Sequence, residues 1–259
     1  MTPEQGLDRF TLRGRAAIVT GAARGLGRAL ALALAEAGAD IVAVDVAPLE
    51  DLAAEVRTRG VRCETRMVDL GALDAEGAAE LVDWSEARCE DVSVLVNNAG
   101  MIRRAPAEEV PPDEWHAVIA LNLSTPFFLA QALGRSLLRA GRRGSIVNVV
   151  SMNSFQGGMN VASYTASKHG LLGVTRALAN EWTGRGVRVN GIAPGYMTTE
   201  LTAALREDPE RYETFRARMP AGRWGEPDDL AGAVVFLASQ ASAYVSGAVI
   251  TVDGGWLSR

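Results

Sequence analysis

The chain has 259 residues, 48% of them hydrophobic, so it can bury a large core in one or two domains. Its net charge of −5 and its scattered arginines give no electrostatic basis for binding nucleic acid. The two cysteines, Cys63 and Cys89, have neither a CxxC spacing nor histidines nearby, so we predict no metal site and two free thiols in a reducing cytoplasm.

The N-terminal segment, MTPEQGLDRF, is polar and acidic, which is not typical of a signal peptide. The most apolar run, Ala29–Val46, is interrupted by three carboxylate side chains, which excludes a membrane span there. We therefore expect a cytoplasmic protein without a membrane partner.

Short β-branched runs alternate with longer Ala- and Leu-rich stretches from one end of the chain to the other. The short runs predict strands at about Arg15–Thr20, Asp40–Asp45, Arg62–Met67, Ser93–Asn97, Ser145–Ser151, Arg188–Ile192 and Ala248–Val252. The longer stretches predict helices near Leu26–Ala37, Pro48–Arg59, Asp74–Arg88, Asp113–Ala140, Ala162–Thr183 and Pro227–Ala238. This alternation, uninterrupted by a linker, predicts an α/β fold with one domain over residues 1–259: a parallel sheet of about seven strands with helices on both faces.

The first predicted strand, AAIVT, runs directly into the glycine-rich sequence GAARGLG, which opens an Ala-rich helix. Gly21, Gly25 and Gly27 permit a tight turn and let backbone N–H groups approach a pyrophosphate. The motif alone is also compatible with a purely structural turn. Its position between a strand and a helix favours a dinucleotide site in a Rossmann-like, doubly wound sheet.

Asp45 lies at the carboxyl end of the second predicted strand. A carboxylate there can accept hydrogen bonds from an adenosine ribose and would repel a 2′-phosphate, so NAD is favoured over NADP. The counter-indication is Arg24, because an arginine in the glycine-rich turn could meet a 2′-phosphate.

Polar residues also follow the third and fourth predicted strands. Asp69 could contact an adenine amino group, or it could cap a helix. Asn97 begins the sequence NNAG; we place it near the adenosine ribose, although an asparagine there could be wholly structural.

Tyr164 and Lys168 are four residues apart in a predicted helix, so their side chains share one face. The 26 Lys and Arg residues include a single lysine, Lys168. An ammonium beside a phenol lowers the pKa of the phenol, which makes Tyr164 a plausible acid and base near neutral pH. Arginine would supply the charge but not a compact ammonium that can also reach a ribose hydroxyl.

Two further polar residues accompany this pair. Ser151 closes the fifth predicted strand, at the same sheet edge as the glycine-rich turn, where its hydroxyl could hold a substrate oxygen for Tyr164. Asn122 lies inside a predicted helix, an unfavourable place for asparagine, where it could bend the helix or hold a water. The segment 196–223, here called the lid segment, lies between the sixth strand and the last helix and is a candidate cover for the substrate.

Over essentially its full length the chain resembles the short-chain dehydrogenase/reductase family. The resemblance rests on TGxxxGxG at Thr20–Gly27, NNAG at Asn97–Gly100, the set Asn122, Ser151, Tyr164 and Lys168, PG at Pro194–Gly195 and the C-terminal VDGG. It implies that Tyr164 is the general acid and base, Ser151 orients the substrate oxygen, Lys168 binds the nicotinamide ribose and Asn122 anchors a relay water. The cofactor contacts it implies are Gly21, Arg24, Gly25, Leu26, Gly27, Asp45, Asp69, Leu70, Asn97, Ala99, Gly100, Tyr164, Lys168, Pro194, Gly195, Met197 and Thr199. A homotetramer is implied in the same way.

Several stretches, among them NNAGMIRR, SMNSFQGG and MPAGRWGEP, are similar to the family's sugar-acid dehydrogenases. A sugar acid needs a cation for its carboxylate and polar groups for its hydroxyls. The candidate substrate contacts are Arg103, Arg104, Asn153, Gln156 and Tyr196. The alternatives are a polyol or 3-oxoacyl substrate, or a protein that binds the nucleotide without turnover.

Overall fold

The computed structural model describes residues 6–259, apart from three side chains between residues 201 and 206. Residues 1–5, which begin the segment expected not to be a signal peptide, lie outside the described residues.

Residues 6–259 form one parallel sheet of seven strands in the order β3-β2-β1-β4-β5-β6-β7. The strands are β1 (Ala16–Thr20), β2 (Asp40–Asp45), β3 (Cys63–Met67), β4 (Val92–Asn97), β5 (Gly144–Val149), β6 (Val187–Pro194) and β7 (Val249–Val252). The strand order reverses between β1 and β4, and a crevice opens there beyond the carboxyl ends of the strands. The predicted parallel sheet is therefore confirmed. The predicted fifth strand, however, ends two residues early, at Val149.

Helices cover both faces of the sheet. They are α1 (Gly25–Glu36), α2 (Glu50–Arg57), α3 (Ala75–Glu86), α4 (Pro112–Ile119), α5 (Thr125–Arg139), α6 (Ala162–Trp182), α7 (Ala203–Arg206), α8 (Pro209–Arg218) and α9 (Ala231–Ala238). The apolar sides of α1, α2 and α9 form one core layer, and those of α3, α5 and the C-terminal part of α6 form the other. This two-layer burial explains why the central strands read as continuous apolar runs rather than alternating ones.

The long helix predicted over Asp113–Ala140 is interrupted. A π-helical turn, Ala120–Ser124, joins α4 to α5 and contains the buried Asn122. The segment Pro112–Arg139 has the length of a membrane span, and its most apolar 18-residue stretch has a mean hydropathy of 1.5, but half of that stretch is buried inside the fold. It packs on α3 and β4 as a core helix does, so its composition is weak evidence for a membrane span.

The lid segment is largely helical and includes α7 and α8. Asp208 caps α8 by accepting hydrogen bonds from the N–H groups of Glu210 and Arg211, both at 3.1 Å. Beneath α8 lies an aromatic cluster of Tyr196, Tyr212, Phe215, Trp224 and Trp256, with Met152 and Met219 packed against it.

Candidate active site

A cleft of about 620 Å³ lies at the carboxyl edge of the sheet. It runs from Asp45 and Asp69, beyond β2 and β3, to Ser151 and Tyr164, beyond β5. Most of the predicted cofactor residues line it: Gly21, Arg24, Gly25, Leu26, Gly27, Asp45, Asp69, Leu70, Ala99, Gly100, Tyr164, Lys168, Pro194, Gly195, Met197 and Thr199.

The glycine-rich turn has no room for larger side chains at two of its positions. A β-carbon on Gly21, whose φ is +64°, would lie 2.9 Å from the Ala99 Cα, and one on Gly27 would overlap the Gly21 carbonyl oxygen. The helix α1 begins here without a side-chain cap, so its first N–H groups face the cleft unpaired by any capping side chain. A close turn at an uncapped helix N-terminus fits the pyrophosphate of a dinucleotide.

Asp45 is held in place by the backbone on either side of the cleft. Its carboxylate accepts hydrogen bonds from the N–H groups of Ala23 (2.9 Å) and Ala47 (3.0 Å). Arg24 and Glu200 of the lid segment also line the cleft and form an ion pair at 2.6 Å, both side chains being 72% exposed.

Asp69 has the capping role that was one of its two predicted roles. Its Oδ1 accepts a hydrogen bond from the Gly71 N–H at 2.9 Å, at the start of a short 3-10 turn. The residue also lines the cleft, so capping and an adenine contact are compatible.

The Asn97 side chain does not line the cleft and has the structural role that was one of its two predicted roles, so its place near the adenosine ribose stays a prediction. Its side chain is 2% exposed and points into the sheet, where Nδ2 donates to Asn148 Oδ1 (2.9 Å) and to the Pro126 carbonyl (3.1 Å). Asn97 and Asn148 are register partners on β4 and β5, and an amide buried between strands needs such a partner.

The neighbouring Asn98, which the sequence reasoning missed, lines the cleft instead. Its Nδ2 donates to the carbonyls of Thr20 (2.9 Å) and Gly21 (3.1 Å), which fixes the start of the glycine-rich turn. The available signal was its position, one residue beyond the end of a buried strand. Val68 and Met101 are further cleft residues that no motif indicated.

Ser151, Tyr164 and Lys168 meet at the far end of the cleft. Ser151 is 7% exposed, begins a 3-10 turn after β5, and its Oγ accepts a hydrogen bond from the Asn153 N–H at 3.1 Å. Lys168 is 4% exposed; its Nζ donates to the Val149 carbonyl at 2.7 Å and lies 5.7 Å from the centroid of the Tyr164 ring.

Burial shifts the pKa values of both Tyr164 and Lys168 at this end of the cleft. Burial raises the pKa of Tyr164 above its ordinary value, and a hydrogen bond with Ser151 and the charge of Arg104 only partly oppose that rise. Burial also lowers the pKa of Lys168 to about 8. The expected effect of the Lys168 ammonium on the pKa of the phenol stays a prediction.

Asn122 is fully buried, and its side-chain amide is already used. Its Oδ1 accepts a hydrogen bond from the Met101 N–H (2.9 Å), while Nδ2 donates to the Met101 carbonyl (2.9 Å) and to Ser167 Oγ (3.1 Å). Both N–H groups of the amide are therefore used, while Oδ1 keeps one lone pair, and the anchoring of a relay water stays a prediction.

Among the residues that the structure describes, none of the five predicted substrate contacts lines the 620 Å³ cleft. Tyr196 packs in the aromatic cluster, with its ring centroid 4.5 Å from that of Phe215, and borders a second cavity of about 290 Å³. Arg103 and Arg104 are exposed on the loop after β4, and of the two only Arg104 affects the pKa of Tyr164. Asn153 and Gln156 are half-buried on the turn after Ser151.

No group of three or more His, Cys, Asp or Glu side chains that could hold a metal ion occurs within residues 6–259.

Comparison with known proteins extends this picture. A family model described as enoyl-(acyl carrier protein) reductase matches residues 21–257.

Three relatives cover nearly the whole chain. The 2-dehydro-3-deoxy-D-gluconate 5-dehydrogenase of Escherichia coli K12 is 47% identical over 98% of this chain and 99% of its own. A structure from Beutenbergia cavernae, assigned to the NAD(P)-dependent gluconate 5-dehydrogenases and holding NADP at low occupancy, is 50% identical, with a TM-score of 0.92 over 97% of this chain and 100% of its own. A gluconate 5-dehydrogenase from Burkholderia cenocepacia, in complex with NADP and tartrate, is 40% identical, with a TM-score of 0.91 over 98% and 99%.

Proposed function

This chain belongs to the short-chain dehydrogenase/reductase family, and on that premise we propose that it interconverts a secondary alcohol and a ketone on a sugar acid, namely at carbon 5 of 2-dehydro-3-deoxy-D-gluconate. The observation that carries the reaction class is the meeting of Ser151, Tyr164 and Lys168 at one end of the 620 Å³ cleft, whose other end carries the glycine-rich turn. The substrate follows from the relative of nearly equal length that bears this name.

Three side chains divide the work at the reacting carbon. Tyr164 takes the hydroxyl proton during oxidation and returns it during reduction. Ser151 holds the same oxygen in place, and Lys168 uses one ammonium N–H on the Val149 carbonyl and keeps two for a ribose hydroxyl. The nicotinamide, when bound, accepts or supplies the hydride.

For the cofactor we propose NAD rather than NADP. Asp45, fixed by two backbone N–H groups, presents a carboxylate where a 2′-phosphate would have to lie, and Arg24 is engaged by Glu200. The relatives from Beutenbergia cavernae and Burkholderia cenocepacia hold NADP, so the preference has to be measured with both cofactors.

A carboxylated substrate agrees with the charge around the cleft mouth. Arg104 lies close enough to Tyr164 to lower the pKa of that phenol, and one relative binds tartrate, itself a hydroxy acid. Gluconate is the second candidate substrate, because that relative is a gluconate 5-dehydrogenase.

The test is a panel of substrates with purified wild-type protein. The reduction of NAD and of NADP is followed with 2-dehydro-3-deoxy-D-gluconate, gluconate, its neutral amide gluconamide, and simple secondary alcohols. We expect kcat/KM to be highest with NAD and a sugar acid. Equal rates with charged and neutral substrates would overturn the proposed substrate but would leave the proposed reaction class unaffected.

The proposal extends to the assembly and the compartment. We infer a cytoplasmic homotetramer from the family resemblance, and large apolar side chains such as Met159 (92% exposed) are available for contacts between copies. Light scattering coupled to size exclusion would measure the oligomeric state.

A further inference from the structure

The C-terminal end of α8 carries an arginine that no carboxylate neutralises. Two other arginines of this helix are paired, Arg211 with Asp208 at 3.8 Å and Arg216 with Glu213 at 2.8 Å. Arg218 has no carboxylate within ion-pair distance among the described residues. Its guanidinium lies instead on the face of Trp256, 4.0 Å from the ring centroid.

Arg218 is exposed, but the indole on which it lies is buried. Trp256 is 2% exposed and packs edge-on against Tyr196, with their centroids 4.8 Å apart. The backbone is also tied down, because Arg259 Nη1 donates to the Arg218 carbonyl at 3.2 Å. A guanidinium stacked on a buried indole keeps its N–H edges available for a planar anion.

The residue that follows Arg218 packs in the same apolar cluster as the turn that carries Ser151. Met219, the next residue, is 3% exposed and lies in the same apolar cluster as Met152, which follows Ser151 directly. Tyr196, in the same cluster, is followed by Met197, which lines the dinucleotide cleft. The lid helix therefore ends beside the turn that carries Ser151.

A second cation, Arg104, acts on the same phenol as Arg218. Burial raises the pKa of Tyr196, while the charges of Arg218 and Arg104 both lower it. The Tyr196 phenol thus lies within electrostatic reach of one guanidinium from the lid segment and one from the loop after β4.

We propose that Arg218 is a specificity-determining residue that binds the substrate carboxylate from the lid segment together with Arg104 from the loop after β4, and this rests on the proposed sugar-acid function. The two guanidinium groups form a clamp for one carboxylate, and the chain length between that carboxylate and the reacting hydroxyl sets which sugar acids fit. Trp256 holds the Arg218 guanidinium in position before the substrate arrives, which reduces the entropy lost on binding.

The test compares Arg218→Gln with wild type on gluconate, on gluconamide and, as a competitive inhibitor, on tartrate. We expect KM for gluconate and the inhibition constant for tartrate to rise roughly ten- to hundredfold, the loss typical of a charge-assisted hydrogen bond, with kcat little changed. KM for gluconamide should change less than threefold. Arg218→Lys should fall between the two, because an ammonium keeps the charge but not the planar fork.

Arg211→Gln is the matched control, since it removes an equal charge from the same helix two turns away, and it should leave both constants unchanged. Equal effects of Arg218→Gln on gluconate and gluconamide, or no effect on either, would overturn the role of Arg218. A wild-type enzyme that prefers neither 2-dehydro-3-deoxy-D-gluconate nor gluconate over gluconamide would instead overturn the proposed sugar-acid function, so the two failures are distinguishable.

Discussion

Lys168 lies over the ring of Tyr164, 5.7 Å from its centroid, and donates its hydrogen bond to the Val149 carbonyl rather than to the phenol. The two residues share a helix face, as their spacing predicts. The groups that oppose the effect of burial on the phenol come from elsewhere, namely Ser151 on the turn after β5 and Arg104 on the loop after β4.

Removal of the Tyr164 hydroxyl separates an enzyme from a nucleotide-binding protein. Tyr164→Phe should lower kcat by about 10²- to 10⁴-fold, the usual contribution of a general acid and base, while NADH binding measured by fluorescence stays within a few-fold of wild type. Tyr244→Phe is the control, because Tyr244 is fully exposed on the surface. Unchanged turnover in Tyr164→Phe would contradict the catalytic assignment.

Arg104 should set the pH at which oxidation becomes fast. Burial raises the pKa of Tyr164, so its phenolate forms only at alkaline pH and kcat/KM for alcohol oxidation should rise with pH. Arg104 lowers this pKa, so Arg104→Gln should move the rising limb to higher pH. The measurement is a pH profile of kcat/KM, which reports groups of the free enzyme.

Arg103→Gln is the comparison for that profile, since it removes the same charge one residue away. It should leave the position of the limb unchanged, whatever its effect on KM. A limb that moves equally in both variants would reflect a general surface charge rather than Arg104.

Lys168 should lower the free energy of unfolding at neutral pH. Burial lowers its pKa from about 10.5 to about 8, so between these values the folded protein binds fewer protons than the unfolded chain. The free energy of unfolding therefore rises by about 3 kcal/mol through this residue as the pH rises from 8 to 10.5. The same contribution is lost as the pH falls from 10.5 to 8.

Denaturant unfolding of wild type and Lys168→Met across this range checks the sign. The variant lacks the titration, so its stability advantage should be largest below pH 8 and shrink toward pH 10.5. The buried thiols of Cys63 and Cys89, whose pKa values burial raises, are common to both proteins and cancel in the difference. A difference that does not change with pH would contradict the lowered lysine pKa.

The ion pair between Arg24 and Glu200 should influence cofactor choice. Glu200→Gln frees the guanidinium of Arg24 for a 2′-phosphate, so the ratio of kcat/KM with NADP to that with NAD should rise several-fold. Asp45→Asn should raise the ratio further, roughly tenfold, because it removes the charge that repels the phosphate.

Glu207→Gln serves as the control for this ratio. It removes an exposed carboxylate from the same lid segment without touching Arg24, so the ratio should stay at the wild-type value. The same increase in Glu207→Gln and Glu200→Gln would assign the effect to net charge.

The two neighbouring asparagines should behave oppositely. Asn97→Ala removes a buried partner of Asn148 and should lower the free energy of unfolding by about 1–3 kcal/mol without raising KM for NAD. Asn98→Ala releases the start of the glycine-rich turn and should raise KM for NAD. Denaturant titration and initial-rate kinetics on both variants distinguish these outcomes.

The sequence by itself determined the features that depend on local spacing. Short apolar runs that alternate with longer Ala- and Leu-rich stretches predicted a parallel sheet covered by helices. The glycines after AAIVT predicted the turn at α1, and the interval from Tyr164 to Lys168 placed both side chains on one helix face. These follow from the periodicities of strands and helices and from the small size of glycine, which neighbouring residues alone decide.

The tertiary structure decided what depends on partners distant in the chain. Whether Asn97 or Asn98 faces the cleft depends on Asn148 in the next strand, and the pKa of Tyr164 depends on burial and on Arg104. The stacking of Arg218 on Trp256 joins a lid helix to the C-terminal turn, and no local pattern predicts it. Such contacts follow from packing between elements, because burial strengthens charges and penalises unpaired polar groups only once the chain has folded.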